Sequence, residues 1–119
     1  MLKQNKGGDN MMVNTITRGT TPTLTFTTPY DADMVKDGYI TFTLRGAIII
    51  DVEVTDESVT ISDQTIAIHL TQEQTLSFDA DDTNLVQVRL LLESGNVVAS
   101  NTVTLPISDV LKEDVIPNG

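Results

Sequence analysis

The sequence predicts an all-β fold, an immunoglobulin-like two-sheet antiparallel β-sandwich of seven to eight strands with one short helical turn. Three observations carry this. Apolar residues recur with period 2 along most of the chain, threonine, valine and isoleucine dominate those stretches, and short breaks bearing glycine or aspartate separate them. Alternation of that period is what a half-buried pleated strand requires. The β-branched residues suit such a surface, and several short strands at this spacing build a sandwich. The Cys…Trp…Cys signature of a true immunoglobulin domain is absent, so the likeness is one of architecture.

The first strand spans residues 22–27, where threonines alternate with Leu24 and Phe26. Residues 39–45 place Ile40, Phe42 and Leu44 on one face and Tyr39, Thr41, Thr43 and Arg45 on the other. Residues 48–54 turn Ile48, Ile50, Val52 and Val54 inward and Asp51 and Glu53 outward. Strands over 58–62 and 65–70 follow, with Val59, Ile61, Ile66, Ile68 and Leu70 as their apolar positions. Residues 85–93 set Val86, Val88, Leu90 and Leu92 against Gln87, Arg89 and Glu93. Residues 97–105 close the series with Val97, Ala99, Val103 and Leu105 inward. Arg45-Gly46-Ala47 and Ser94-Gly95-Asn96 are short enough to be hairpin turns. Asp56-Glu57 and Ser62-Asp63-Gln64 break the pattern between the middle strands. The expected core is Phe26, Ile40, Phe42, Leu44, Ile50, Val52, Ile66, Ile68, Val88 and Leu90.

Two segments leave strand character. Residues 71–76 begin with Thr71 three positions before Gln74, the spacing of a capping box, and predict one helical turn crossing between the sheets. Residues 108–119 form a C-terminal tail after a sandwich domain over 12–107. Its residues 108–116 suit a helical turn or an extended arm, and Val110, Leu111, Val115 and Ile116 make it more apolar than a solvated end requires. It either packs on its own domain or docks on a neighbour. Residues 1–11, with Gly7-Gly8, carry no strand pattern and are expected to be disordered.

With 119 residues there is room for one domain and one core. No cysteine is present, which removes disulfides and thiolate metal sites. No apolar run approaches the roughly 20 residues of a membrane span. The first twelve residues lack the apolar block of a secretory signal, so synthesis in the cytoplasm is expected. Seventeen acidic residues oppose seven basic ones, for a net charge of −10. The basic residues are scattered from Lys3 to Lys112, whereas phosphate neutralisation needs them clustered. No nucleic acid and no membrane partner is expected.

Chemistry finds little to stand on. The lone histidine, His69, sits on the outward parity of its strand, and a single imidazole cannot supply a multi-histidine metal set or a triad. Gly7-Gly8 has neither the strand-to-helix setting nor the lysine of a phosphate loop, and no serine lies in a nucleophile elbow. Asp79, Asp81 and Asp82 fall in one loop and Asp31, Asp33 and Asp37 in another. Calcium takes loop oxygens of this kind, but the glycine and closing glutamate of an EF-hand are missing, and the carboxylates read as solvated. Exposed aromatic platforms for a sugar come down to Tyr30, Tyr39 and Phe78. No catalytic residue, no cofactor-binding residue and no metal ligand is expected.

The segments ITRGTTPTLTF (16–26), VQVRLLLESG (86–95) and SNTVTLPISDVLKEDVI (100–116) resemble small structural proteins of phages and prophages of low-GC Gram-positive hosts. The layout, including the helical turn before the penultimate pair of strands, is similar to the N-terminal sandwich of phage upper baseplate proteins over roughly residues 13–116. Those proteins continue into a long C-terminal extension with no counterpart in these 119 residues. The resemblance implies a tail, baseplate or neck component without enzymatic activity, a virion component made in the bacterial cytoplasm, whose partners are other virion proteins or itself. A sheet edge or polar sheet face is a natural surface for such contacts. The expected interaction residues are Gln87 and Arg89, which project opposite the core, together with Leu111 and Ile116 of the tail. The alternative is a small carbohydrate- or ligand-binding sandwich module.

Overall fold

The computed structural model describes residues 15–118. The disorder expected over 1–11 falls outside them. Ten strands and one α-helix run in the order β1 (Ile16–Thr17), β2 (Thr23–Thr27), β3 (Val35–Leu44), β4 (Ala47–Glu53), β5 (Val59–Ser62), β6 (Thr65–His69), α1 (Gln72–Leu76), β7 (Asn84–Leu92), β8 (Val97–Ala99), β9 (Val103–Thr104) and β10 (Ile107–Ser108). A three-stranded sheet, β2-β6-β5, packs on a five-stranded one in which β4-β3-β7-β8 are neighbours and β9 also pairs with β7. Every pairing in these two sheets is antiparallel. This is the strand distribution of an immunoglobulin-like sandwich, with β2, β6 and β5 on one side and β3, β7 and the last strands on the other. The count exceeds eight because the final strand is cut into β8, β9 and β10, and because β1 adds a two-residue parallel pairing with β10.

The alternating residues of both sheets meet in one cluster. Phe26, Ile40, Phe42, Ile66 and Ile68 are fully buried, and Leu44, Ile50, Val88 and Leu90 are buried around them. Phe78, just after α1, puts its ring 5.7 Å from that of Phe42 and plugs the end of the core. Val52 alone of the expected core is half-buried, as a residue of the edge strand β4.

Two local corrections follow from bulges. Ile48 is not inward but 63% exposed. Phe42 pairs with Ile50 and Thr43 with Ile48, so Ile49 is the extra residue of a bulge, and Ile48 shares the outer face of Thr43. The upper part of the last strand is likewise shifted by one from the expected parity. Leu91 pairs with Val97, Leu90 with Val98 and Arg89 with Ala99. Val97 and Ala99 are therefore exposed and Val98 packs on the core. The interruption at 100–102 restores the expected parity, and Val103 and Leu105 face inward.

The turns follow their residues. Arg45 and Gly46 have φ of 53° and 82°, the double positive φ of a two-residue hairpin. At Gly38 the constraint is space, since a Cβ there would collide with the Arg89 carbonyl across the β3–β7 ladder. The helical turn is capped as the sequence predicts. Thr71 Oγ1 accepts the Gln74 backbone N–H at 3.1 Å, and Gln74 Oε1 accepts that of Thr71 at 2.8 Å.

Candidate interaction surfaces

The outer face of the five-stranded sheet holds the first pair of expected residues. Strand parity turns Arg89 outward from β7, between Tyr39 of β3 and Ala99 of β8. Its guanidinium carbon lies 5.8 Å from the centre of the Tyr39 ring, within reach of a cation–π contact. Both side chains remain exposed. Gln87, two residues earlier, is half-buried, and its Nε2 donates to the Ser100 carbonyl at 2.8 Å. That bond bridges the gap left where the last strand is interrupted, which gives Gln87 a structural task. On the next row Thr41 donates to Asp51 at 2.8 Å. The exposed isoleucine of the bulge, Ile48, adds an apolar patch at the β4 edge.

The second pair belongs to a different surface. The tail after β10 is extended rather than helical, and it lies against β1 and α1 of its own domain. Arg18 organises it. Its side chain is only 13% exposed. Nε donates to the Phe78 carbonyl at 2.8 Å and Nη2 to the Leu76 carbonyl at 2.9 Å, while Nη1 meets Asp109 at 2.7 Å and Glu113 at 2.9 Å. One guanidinium thus satisfies two carbonyls at the end of α1 and holds two tail carboxylates. The Asp109 carboxyl is shifted below the usual carboxylate range by the Arg18 hydrogen bond and by the Val110 N–H. Further on, the buried Gln72 side chain brackets one tail residue. Its Nε2 donates to the Ile116 carbonyl at 3.0 Å, and its Oε1 accepts the Ile116 N–H at 2.8 Å.

The backbone of the tail is therefore fixed; Val110 is half-buried beside Gly19, and the other three apolar side chains point away. Leu111 is fully exposed, Ile116 is 69% exposed and Val115 39%. Packing against its own domain thus accounts for the path of the tail but not for these side chains. Arg18 and Gln72 carry no mark in the sequence of the roles they take. Arg18 precedes the first expected strand and Gln72 lies inside the expected helical turn, and their tail partners come from the far end of the chain, so no local signal marks either.

The remaining candidates resolve into structural roles. His69 is exposed, with Nδ1 3.0 Å from Thr23 Oγ1 across the β2–β6 ladder. The acidic loop after α1 is not merely solvated. Asp79 and Asp82 both meet Arg45, at 3.2 and 2.9 Å, and that pairing lowers the Asp82 carboxyl from its ordinary range, with help from the Thr83 N–H. Among the described residues no group of three or more histidine, aspartate or glutamate side chains is placed to hold a metal ion. Phe78 is withdrawn as a sugar platform because it is buried. Among the described residues no helix is long and apolar enough to cross a membrane.

One groove of about 230 Å³ opens between the sheets, where the end of β2 and the following Thr28 and Tyr30 face Val98 and Ala99 of β8. Val88 and Leu90 of the core line its inner side.

No protein-family model matches the chain. No curated protein matches it either. Among solved structures, extracellular domains 3-5 of Drosophila OTK align with 86% of this chain at 19% identity and a TM-score of 0.41. The aligned part is 34% of that chain, so this protein spans about a third of its length. The fold assignment stands on the strand order and packing described above.

Proposed function

We propose that this chain is a non-enzymatic structural protein of a phage or prophage virion, a tail, baseplate or neck component that acts through protein–protein contacts. The observation that carries the contact part is the tail. Three of its apolar side chains are turned to solvent on a backbone that Arg18 and Gln72 hold in place, so a partner meets them without first ordering the segment. The exposed Arg89–Tyr39 pair is a second candidate contact. Arginine and tyrosine are residue types enriched where binding energy concentrates. The virion assignment is supported by the three sequence segments that resemble phage structural proteins.

The test is co-purification with particles from an induced lysogen. The protein is expected in purified virions, and Leu111→Ser with Ile116→Ser is expected to reduce its incorporation by ~10-fold or more. Substitution is preferable to deleting 108–119, which would also remove half of β10 and the partners of Arg18 and Gln72. Absence from particles, with micromolar binding of a soluble glycan instead, would favour the ligand-binding module.

A further inference from the structure

We propose that copies of this protein associate head to tail, with Leu111 of one copy seated in the groove between β2 and β8 of the next. This rests on the protein-contact reading and names the partner as a second copy of the chain.

The tail supplies the projecting half. Asp109 and Glu113 are both tied to Arg18, and Leu111, midway between them in sequence, has its whole side chain in solvent. The groove supplies the receiving half, with Tyr30 and Thr28 on one side, Val98 and Ala99 on the other and Val88 and Leu90 within. An apolar cavity of ~150 Å³ accommodates a benzene molecule, so a volume of about 230 Å³ admits a leucine side chain.

Charge decides where a −10 chain can meet itself. Like-charge repulsion opposes self-association over most of such a surface. At the tail it is reduced, because Arg18 offsets one of the two charges of Asp109 and Glu113 and Lys112 lies 3.4 Å from Asp114, so that only about one negative charge is left uncompensated there. Among the described residues no charged side chain lines the groove.

Geometry makes the contact intermolecular. The tail is fastened at the α1 end of the sandwich, near the start of β2, where the Leu70 N–H bonds to the Pro22 carbonyl. The groove begins at Thr27, the other end of β2, five residues and roughly 16 Å along the strand. Leu111 cannot reach the groove of its own chain while Arg18 holds the tail. A projection and a groove on different parts of one chain make a heterologous contact, which repeats into a ring or an open stack. One side chain in one groove is a small contact and weak between two isolated subunits, and repetition in an assembly compensates.

The absence of native cysteine makes cross-linking a clean test. Leu111→Cys protein and Val98→Cys protein, whose position 98 packs inward along the groove, are mixed under mild oxidation. The mixed disulfide is expected to accumulate ~10-fold faster than that between Val98→Cys and Glu57→Cys, an exposed turn position. Excess cysteine-free protein, which supplies both the projection and the groove, is expected to suppress it. Equal rates for both pairs would overturn the proposal. So would preferential Leu111→Cys self-pairing, which marks a symmetric contact. Intramolecular closure of a Met12→Cys/Val98→Cys double variant, in place of the mixed product, would overturn it by identifying the chain's own N-terminal segment as the occupant. Presence in particles without the mixed disulfide sinks this inference alone, whereas the disulfide without incorporation sinks the virion assignment alone.

Discussion

Arg18 and Asp109 are 91 residues apart in sequence and 2.7 Å apart in space. The same guanidinium also bonds to the Leu76 and Phe78 carbonyls and to Glu113, so the first strand, the end of the helix and the tail share one cation. Arg18→Ala removes all four bonds and leaves two partly buried carbonyls without a donor. A loss of about 2 kcal/mol is expected from urea denaturation. Faster amide exchange over 109–116 should accompany it. If Arg18→Ala is neutral and the tail stays protected, the tail is held by something other than this cation.

Acid should free the tail before it unfolds the sandwich. The Asp109 carboxyl is held below its usual range, chiefly by Arg18 and then by the Val110 N–H. A carboxyl whose folded value is depressed contributes its stability fully above the unfolded value of about 3.9. That contribution disappears as pH falls through the depressed folded value. Protection of the Val110 amide, its exchange corrected for the intrinsic pH dependence, should therefore hold steady from neutral pH to about pH 5 and fall below about pH 4, ahead of the protection of β7 amides. Simultaneous loss of both would show that the tail has no separate opening.

The bulge in β4 gives a contrast between neighbours. Ile48 is exposed and Ile50 is buried, although simple alternation sets both inward. Ile48→Ala is expected to change stability by less than ~0.5 kcal/mol, whereas Ile50→Ala should cost about 3 kcal/mol. Comparable losses at both positions would place Ile48 in the core and remove the bulge.

These residues also mark how much the sequence could reveal. Period 2 identified the long strands and nine of the ten expected core residues as buried, because a one-residue slip would have exposed a whole apolar face. It failed at Ile48, Val97 and Ala99, where an extra or missing ladder residue inverts parity without changing composition. The capping box at Thr71 was legible because both of its bonds are local. Of the expected surface residues, Arg89, Leu111 and Ile116 are exposed, while Gln87 is spent on Ser100. The bracket of Gln72 on Ile116 joins residues 44 apart, and no local pattern encodes such a pair.

Asn84 carries the last expectation, and its burial makes it the sharpest. It opens β7 fully buried, a polar side chain beside the core. Its Oδ1 accepts the Asp79 N–H at 3.1 Å, and its Nδ2 donates to the carbonyls of Asp79 at 2.7 Å and Asp82 at 3.0 Å. One amide thereby closes the loop that carries Asp79 and Asp82 to Arg45 and keeps Phe78 against Phe42. Asn84→Ala removes the partner of the Asp79 N–H and of the Asp82 carbonyl and leaves the Asp79 carbonyl with only the Asp82 N–H at 3.4 Å, and a loss of about 2 kcal/mol is expected. Asn84→Asp keeps the shape and the acceptor but turns a carboxylate oxygen toward both carbonyls, so it should destabilise at neutral pH and recover partly in acid, when the carboxyl protonates and can donate. Denaturation of the three proteins at two pH values checks this. Equal stability of Asn84→Asp and the parent at neutral pH would mean that the loop carbonyls do not depend on this amide.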